Sequence, residues 1–181
     1  MTPAAFSVRA LGTLSAGLLA LGMLAACTPQ PEPAPKPTKT ALFSSDAEAF
    51  KAAEETYAEY LTALNETDLS DARTFEPVYD WLTDTALASE KKSLSTYHAE
   101  KLHRTGLTDF DAFTPLSYAD NVVIAHLCLD VSSVDLLSEN NESLLQPDRA
   151  TRRAMKVTFV EGDTTTHLVI ASNHKPDGFS C

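Results

Sequence analysis

The stretch Leu24-Ala25-Ala26-Cys27 most limits what this chain can fold into, because it separates an export segment from the part left to form a domain. An apolar residue, two small residues and a cysteine form a lipobox pattern. The apolar run 10–24 before it follows the positive charge of Arg9, has the length of a signal-peptide core, and is shorter than the roughly 20 residues of a bilayer span. We therefore predict a lipoprotein signal peptide at 1–26 and lipid attachment at Cys27.

A lipid on Cys27 would determine where in the cell the protein lies. Acyl chains of the palmitate type would attach the protein to the membrane, and we expect it on the outer face of the bacterial cytoplasmic membrane, at the cell surface. An ordinary signal peptide that is cut after Ala25 or Ala26, with Cys27 as a chance thiol, stays open as the alternative.

Prolines alternate with other residues in 28–40 and predict an extended tether. Proline fixes φ and biases its neighbour toward polyproline II, at about 3.1 Å per residue, so the tether reaches roughly 40 Å. A proline-rich partner motif is the alternative. The predicted organisation is the signal peptide at 1–26, the lipidated cysteine and linker at 27–40, and a single domain at 41–181.

The charge balance excludes some partners. The chain has 14 Lys and Arg against 25 Asp and Glu, for a formal net charge of −11. Nucleic-acid binding needs a basic footprint, and an anionic membrane repels an acidic domain. We therefore expect no nucleic acid and a membrane contact only through the lipid on Cys27. A protein partner or a small apolar ligand remains open, and we expect a monomer.

The cysteines indicate the compartment. The chain has three, at Cys27, Cys128 and Cys181. With Cys27 lipidated, the other two can pair in only one way, and disulfides persist outside the cytoplasm. We expect that disulfide, while a buried Cys128 with a loose Cys181 is the alternative.

The first helix is predicted to begin at Ser45. Ser45 followed by Glu48 is a capping-box pattern, and behind it one apolar stripe recurs at helical spacing. The stripe comprises Phe50, Ala53, Tyr57, Tyr60, Leu61 and Leu64. The helix is expected to fade at 65–68.

Two further helices are predicted before residue 106. Segment 75–82 is apolar and carries a proline suited to a first helical turn. Thr83 or Asp84 then caps a longer helix. Basic residues at 101–104, with Gly106 in the C′ position, predict its end.

The pattern then changes to strands. In 121–134 every odd position from Val123 to Val131 is apolar, while the even positions include polar residues, which predicts a strand with one face on the core. A looser strand is expected at 110–118, and a hairpin at 154–160 and 165–172 around Gly162. Helices followed by an antiparallel meander predict an α+β fold, in which helices pack on a curved sheet.

This order resembles the lipid-anchored members of the cone-shaped α+β superfamily named for nuclear transport factor two, also called SnoaL-like. The resemblance rests on the tether, on the tyrosine-bearing helix at 55–65, and on a strand reading Cys128-x-Asp130-x-Ser132, and it spans roughly 45–181. It implies a cone-like fold and a bond between Cys128 and Cys181. Many such proteins have a tryptophan in the last strand, where this chain has His167.

Candidate acid–base residues point away from a cone interior. His126 and Asp130 lie on the even face of their strand, and His167 is expected to point outward in the last strand. A general base must reach its substrate in a cavity. We therefore predict no catalytic residues and no enzyme.

Metal and phosphate sites are not predicted either. His98 and His103 are five residues apart and so lie on different faces of a helix. The few glycines downstream of Cys27 are too far apart to form a phosphate cradle. No cofactor or metal is expected.

The predicted function is therefore a membrane-anchored extracytoplasmic lipoprotein with a non-catalytic binding or accessory domain. The alternative is a cone-fold enzyme, a hydrolase, isomerase or dehydratase, acting at the cell surface. A Tyr/Asp or His/Asp pair inside the cone would favour the enzyme.

Overall fold

The computed structural model describes residues 40–181. The predicted signal peptide, the predicted lipidation site Cys27 and nearly all of the predicted tether lie outside these residues. Within them, no helix combines the length and the apolar character needed to cross a membrane.

Helix α1, Asp46–Asn65, begins where its cap predicts. The Ser45 hydroxyl oxygen accepts from the backbone N–H of Glu48 at 3.2 Å, which satisfies one of the free donors of the first turn. The Glu48 carboxylate does not return to Ser45, as a capping box requires. It accepts instead from the backbone N–H and the hydroxyl of Ser44. The carboxylate half of the predicted capping box is therefore made with Ser44, one residue before the N-cap.

Two helices follow α1. After a 3₁₀ turn at Ala72–Phe75, helix α2, Glu76–Tyr79, begins with a proline in its first turn as predicted. Helix α3, Asp84–Ala99, has Thr83 as its N-cap residue.

The predicted end of α3 is wrong by about one turn. Lys101 adopts a left-handed φ of 53°, and the next residues form strand β1, His103–Thr105. Gly106 follows that strand and does not cap the helix. Its φ is 73°, and a Cβ there would lie 1.9 Å from the carbonyl oxygen of Ser133, so the close approach of the two chains requires glycine.

Among residues 40–181, the main sheet consists of four antiparallel strands: β2, Asp109–Ala119; β3, Val122–Asp130; β5, Arg152–Glu161; and β6, Leu168–His174. Their order in the sheet is β2-β3-β5-β6. Strand β1 pairs with β4, Asp135–Leu137, in a separate two-stranded sheet that sequence patterns did not predict. The predicted hairpin is present, but its turn extends to His167.

The inner face of the sheet packs on the helices. Val123, Ala125 and Leu127 of β3 are fully buried, in the same core as Tyr57 and Leu61 of α1. The predicted odd-position face is therefore correct. Helices packed on a curved antiparallel sheet give the α+β class expected from the sequence.

A bulge in β6 changes which residues face inward. Thr158 pairs with Ser172, but Phe159 pairs with Ile170, so Ala171 is an extra residue. Ile170 is fully buried on one side of the bulge. On the other side Asn173, opposite the buried Val157, faces the core.

Candidate functional site

The outer face of the sheet is crossed by the segment 175–181. Cys128 of β3 and Cys181 are joined by a disulfide, with a Cα–Cα distance of 5.8 Å. Two residues before Cys181, the ring of Phe179 stacks on the ring of His126, with centroids 4.6 Å apart and planes at 28°. The segment is therefore held on the sheet at two neighbouring points.

The candidate acid–base residues His126, Asp130 and His167 lie in separate parts of the structure. His126 lies on the outer face under Phe179. The Asp130 carboxylate accepts from the backbone N–H of Ser132 at 2.8 Å, and the hydrogen bonds of Ser132 hold the pKa of Asp130 below its usual value. His167 is exposed in the β5–β6 turn with a φ of 62°. The structure does not bring these three residues into one site.

His98 is also held by its neighbours. Its Nδ1 lies 2.7 Å from the carbonyl oxygen of Leu69, and its ring packs edge-on against Phe75. Across residues 40–181, no group of three or more His, Cys, Asp or Glu is placed to hold a metal ion.

A groove opens at the edge of the sheet because β6 is shorter than β5. Strand β6 pairs with β5 only as far as Lys156 opposite His174, whereas β3 pairs with β5 down to Arg152. The stretch 152–155 of β5 therefore has a strand on one side only. The 175–181 segment forms the other wall of a cavity of about 590 Å³, which we call the sheet-edge groove. It is lined by Ala150, Arg152, Arg153, Ala154, Met155, Asn173, His174, Lys175, Phe179, Ser180 and Cys181.

The sheet-edge groove combines positive charge with apolar surface. Arg152 donates to the Asp111 carboxylate at 2.5 Å, while Arg153 and Lys175 have no ion-pair partner among the described residues. The described part of the chain contributes no Asp or Glu to the lining, although the chain as a whole is strongly acidic. Met155 and Phe179 supply apolar surface.

A second polar cluster lies between α1 and α3. The Tyr60 hydroxyl donates to a Glu90 carboxylate oxygen at 3.2 Å. Burial raises the pKa of Glu90, opposed by the hydrogen bond from Tyr60 and the charge of Arg104. Burial also raises the pKa of Tyr60 well above its ordinary value. This is an inward tyrosine–carboxylate pair, but Tyr60 is only 6% exposed.

Asn173 connects the interior to the sheet-edge groove. Its Nδ2 donates to the hydroxyl of the fully buried Tyr57 at 3.2 Å, and its Oδ1 is buried without a hydrogen-bond partner among the described residues. Burial raises the pKa of Tyr57. The bulge at Ala171 puts Asn173 in this position.

Sequence reasoning found the two disulfide cysteines and none of the charged residues of the groove. A signal was present, because Arg149, Arg152, Arg153 and Lys156 fall within one short stretch of an acidic chain. Of these, Arg152 and Arg153 line the groove together with Lys175. Their convergence depends on where β6 ends, and local patterns do not predict that.

Comparisons with known proteins give fold likeness only. No protein-family model matches the chain, and no curated protein matches it. A Catenulispora acidiphila protein in complex with S-DNPA is similar with a TM-score of 0.46 and 16% identity, covering 71% of this chain and 92% of that one. Agrobacterium tumefaciens VirB8 gives a TM-score of 0.38 and 11% identity, over 72% and 94% of the two chains. A periplasmic fragment of TraM gives 0.41 and 12%, over 74% and 100%. Likenesses of this size do not assign a function.

Proposed function

We propose that this protein is a lipid-anchored extracytoplasmic binding domain of the cone-shaped nuclear transport factor two type, which holds a ligand in the sheet-edge groove without catalysis. The observation that carries the proposal is the groove itself. Its volume of about 590 Å³ falls in the range of small-molecule sites, and it combines apolar walls with a few polar groups.

The disulfide supports the extracytoplasmic location. Cys128 is 2% exposed and bonded to Cys181. Such bonds persist in oxidising compartments and are rare in the cytosol. The lipobox at Cys27 supplies the anchor on the same side of the membrane.

The arrangement of side chains supports binding over chemistry. Among residues 40–181, no Asp or Glu lines the groove, and its one histidine, His174, has no carboxylate beside it in the lining to orient the ring. A nucleophile or a general base needs a partner in hydrogen-bonding reach. Outside the groove, the Asp130 carboxylate accepts a hydrogen bond from the backbone N–H of Ser132, and the His126 ring stacks on Phe179.

The proposal is tested with the fluorescent probe anilinonaphthalene sulfonate, which joins an apolar ring system to an anionic group. Ala150 lines the groove at the surface, so Ala150→Trp fills space there without entering the core. Ala58 is exposed on α1, away from the groove, and Ala58→Trp is the matched control. We expect saturable binding by wild type and Ala58→Trp, and weakened binding by Ala150→Trp. Equal binding by all three proteins would reject the groove as the site.

One observation favours the second candidate, a cone-fold hydrolase, isomerase or dehydratase: the hydrogen bond from Tyr60 to Glu90. A buried carboxyl group with a raised pKa is a candidate for proton transfer. Turnover of a chromogenic ester tests the hydrolase form. Activity that Glu90→Gln abolishes without lowering the melting temperature would replace the binding proposal.

A further inference from the structure

We propose that the ligand of the sheet-edge groove is a free single-chain carboxylate, an acyl chain with one anionic end. This inference rests on the proposed function and names its ligand class. Three properties of the groove support this ligand class: its charge, its apolar walls and its size.

The charge favours an anion. Arg153 and Lys175 carry positive charges for which the described part of the chain offers no ion-pair partner, and the lining contributes no acidic side chain. Around them the chain has a formal net charge of −11. A cationic recess in an acidic surface selects an anion that it can concentrate locally. Arg152 is not assigned to bind the anion, because its guanidinium already forms an ion pair with Asp111.

The inner face of β5 changes from apolar to charged along its length. Val157 is fully buried, Met155 is half-buried and lines the groove, and Arg153 is exposed at the far end. These residues lie on one face of the strand, since side chains alternate. An acyl chain against Met155 would therefore place its carboxylate beside Arg153. Phe179, which stacks on His126 over the outer face, adds apolar surface on the other side of the sheet edge.

The size favours one chain over a whole membrane lipid. A volume of about 590 Å³ suits a drug-sized ligand, and the opening lies at a sheet edge whose other wall is the tied segment 175–181. A two-chain lipid presented by a bilayer would need the groove to lie against an anionic surface, which the acidic chain opposes.

The test uses laurate as the anionic probe and methyl laurate as its uncharged match, with the full chain carrying Cys27→Ser to keep it free of lipid. Titration calorimetry measures the affinity of this protein for each ligand. The same measurements are made on variants that also carry Arg153→Gln or Lys175→Gln. Arg73 is exposed on the 3₁₀ turn beyond the groove, so Arg73→Gln is the matched control. Vesicles containing phosphatidylglycerol test the membrane source.

We expect laurate to bind at least about tenfold tighter than methyl laurate, with each groove substitution weakening laurate about fivefold and Arg73→Gln leaving it unchanged. Equal binding of the two probes, unaffected by the substitutions, would overturn the carboxylate inference and leave the groove as a binding site. Binding of vesicles without binding of free laurate would also overturn it. Absence of binding by laurate, methyl laurate and vesicles would overturn it as well, and retained binding of anilinonaphthalene sulfonate would then preserve the proposed function.

Discussion

Phe179 stacks face to face on His126, with ring centroids 4.6 Å apart. Phe179 lies two residues before Cys181, and His126 lies two residues before Cys128, the disulfide partner of Cys181. The two contacts share one face of β3 and tie the 175–181 segment to it. His126, one of the candidate acid–base residues, therefore helps to attach the segment that forms a wall of the groove.

The two faces of β3 should respond differently to substitution. Leu127 is fully buried on the inner face, so Leu127→Asp should destabilise the fold by at least about 3 kcal/mol, because an unpaired carboxylate would be buried. His126→Ala removes a stacked ring on the outer face and should cost about 1 kcal/mol. Thermal melts compare the two variants. A tolerated Leu127→Asp together with a severe His126→Ala would invert the assigned faces.

Removal of the disulfide should lower stability and weaken the groove wall. The bond closes a loop over a sequence separation of 53, for which chain-entropy models give about 4 kcal/mol. Urea unfolding of Cys181→Ser should show a loss of this order. The internal control is a phosphine reductant, which should destabilise wild type to the same extent and leave Cys181→Ser unchanged. Recovery of both cysteines as free thiols in non-reducing peptide maps of exported protein would refute the bond.

Stability should depend on pH through Glu90. Burial raises the pKa of this carboxyl in the folded state, so its contribution to stability is fully present below the unfolded pKa and is lost as the pH rises through the folded pKa. Glu90→Gln does not titrate and still accepts from Tyr60. Its stability relative to wild type should therefore rise between about pH 4 and about pH 7.

The control for Glu90→Gln is Glu54→Gln, which removes an exposed carboxylate of α1 and makes the same change in net charge. Urea unfolding at both pH values gives the free energies. A constant or falling difference between Glu90→Gln and wild type would show that burial of this carboxyl does not govern its titration.

The lipid anchor is tested on Cys27. A diacylglyceryl group carries two chains, which anchor stably where one chain is marginal. Wild type should stay with membranes through a salt wash, while Cys27→Ser should appear in the soluble fraction. Retention of Cys27→Ser on membranes as firm as that of wild type would refute lipid anchoring.

Short sequence patterns correctly predicted the helix and the strand whose limits depend on neighbouring residues. The cap at Ser45 and the stripe through Tyr57 and Leu61 indicated α1, and strict alternation in 121–134 indicated β3 and its buried face. In each case one stretch of sequence contains both the periodicity and its boundary.

Distant contacts decided the parts that sequence patterns missed. The basic residues near 101–104 look like a helix end, but His103–Thr105 pairs with Asp135–Leu137, far along the chain. Asn173 faces the core only because Ala171 is bulged, which reverses the inward–outward alternation that Ile170 would set. The groove depends on where β6 ends and on the disulfide that ties the 175–181 segment, so its lining could not be predicted from any single stretch.

The most direct test of the central claim is to map where a ligand binds. Isotope-labelled Cys27→Ser protein is titrated with laurate while amide chemical shifts are followed by NMR. We predict saturable changes concentrated at 152–155 and 173–181, around Arg153 and Lys175, with the amides of Tyr60 and Glu90 unmoved. Changes concentrated at Tyr60 and Glu90 would place the site in the cone interior and contradict the account.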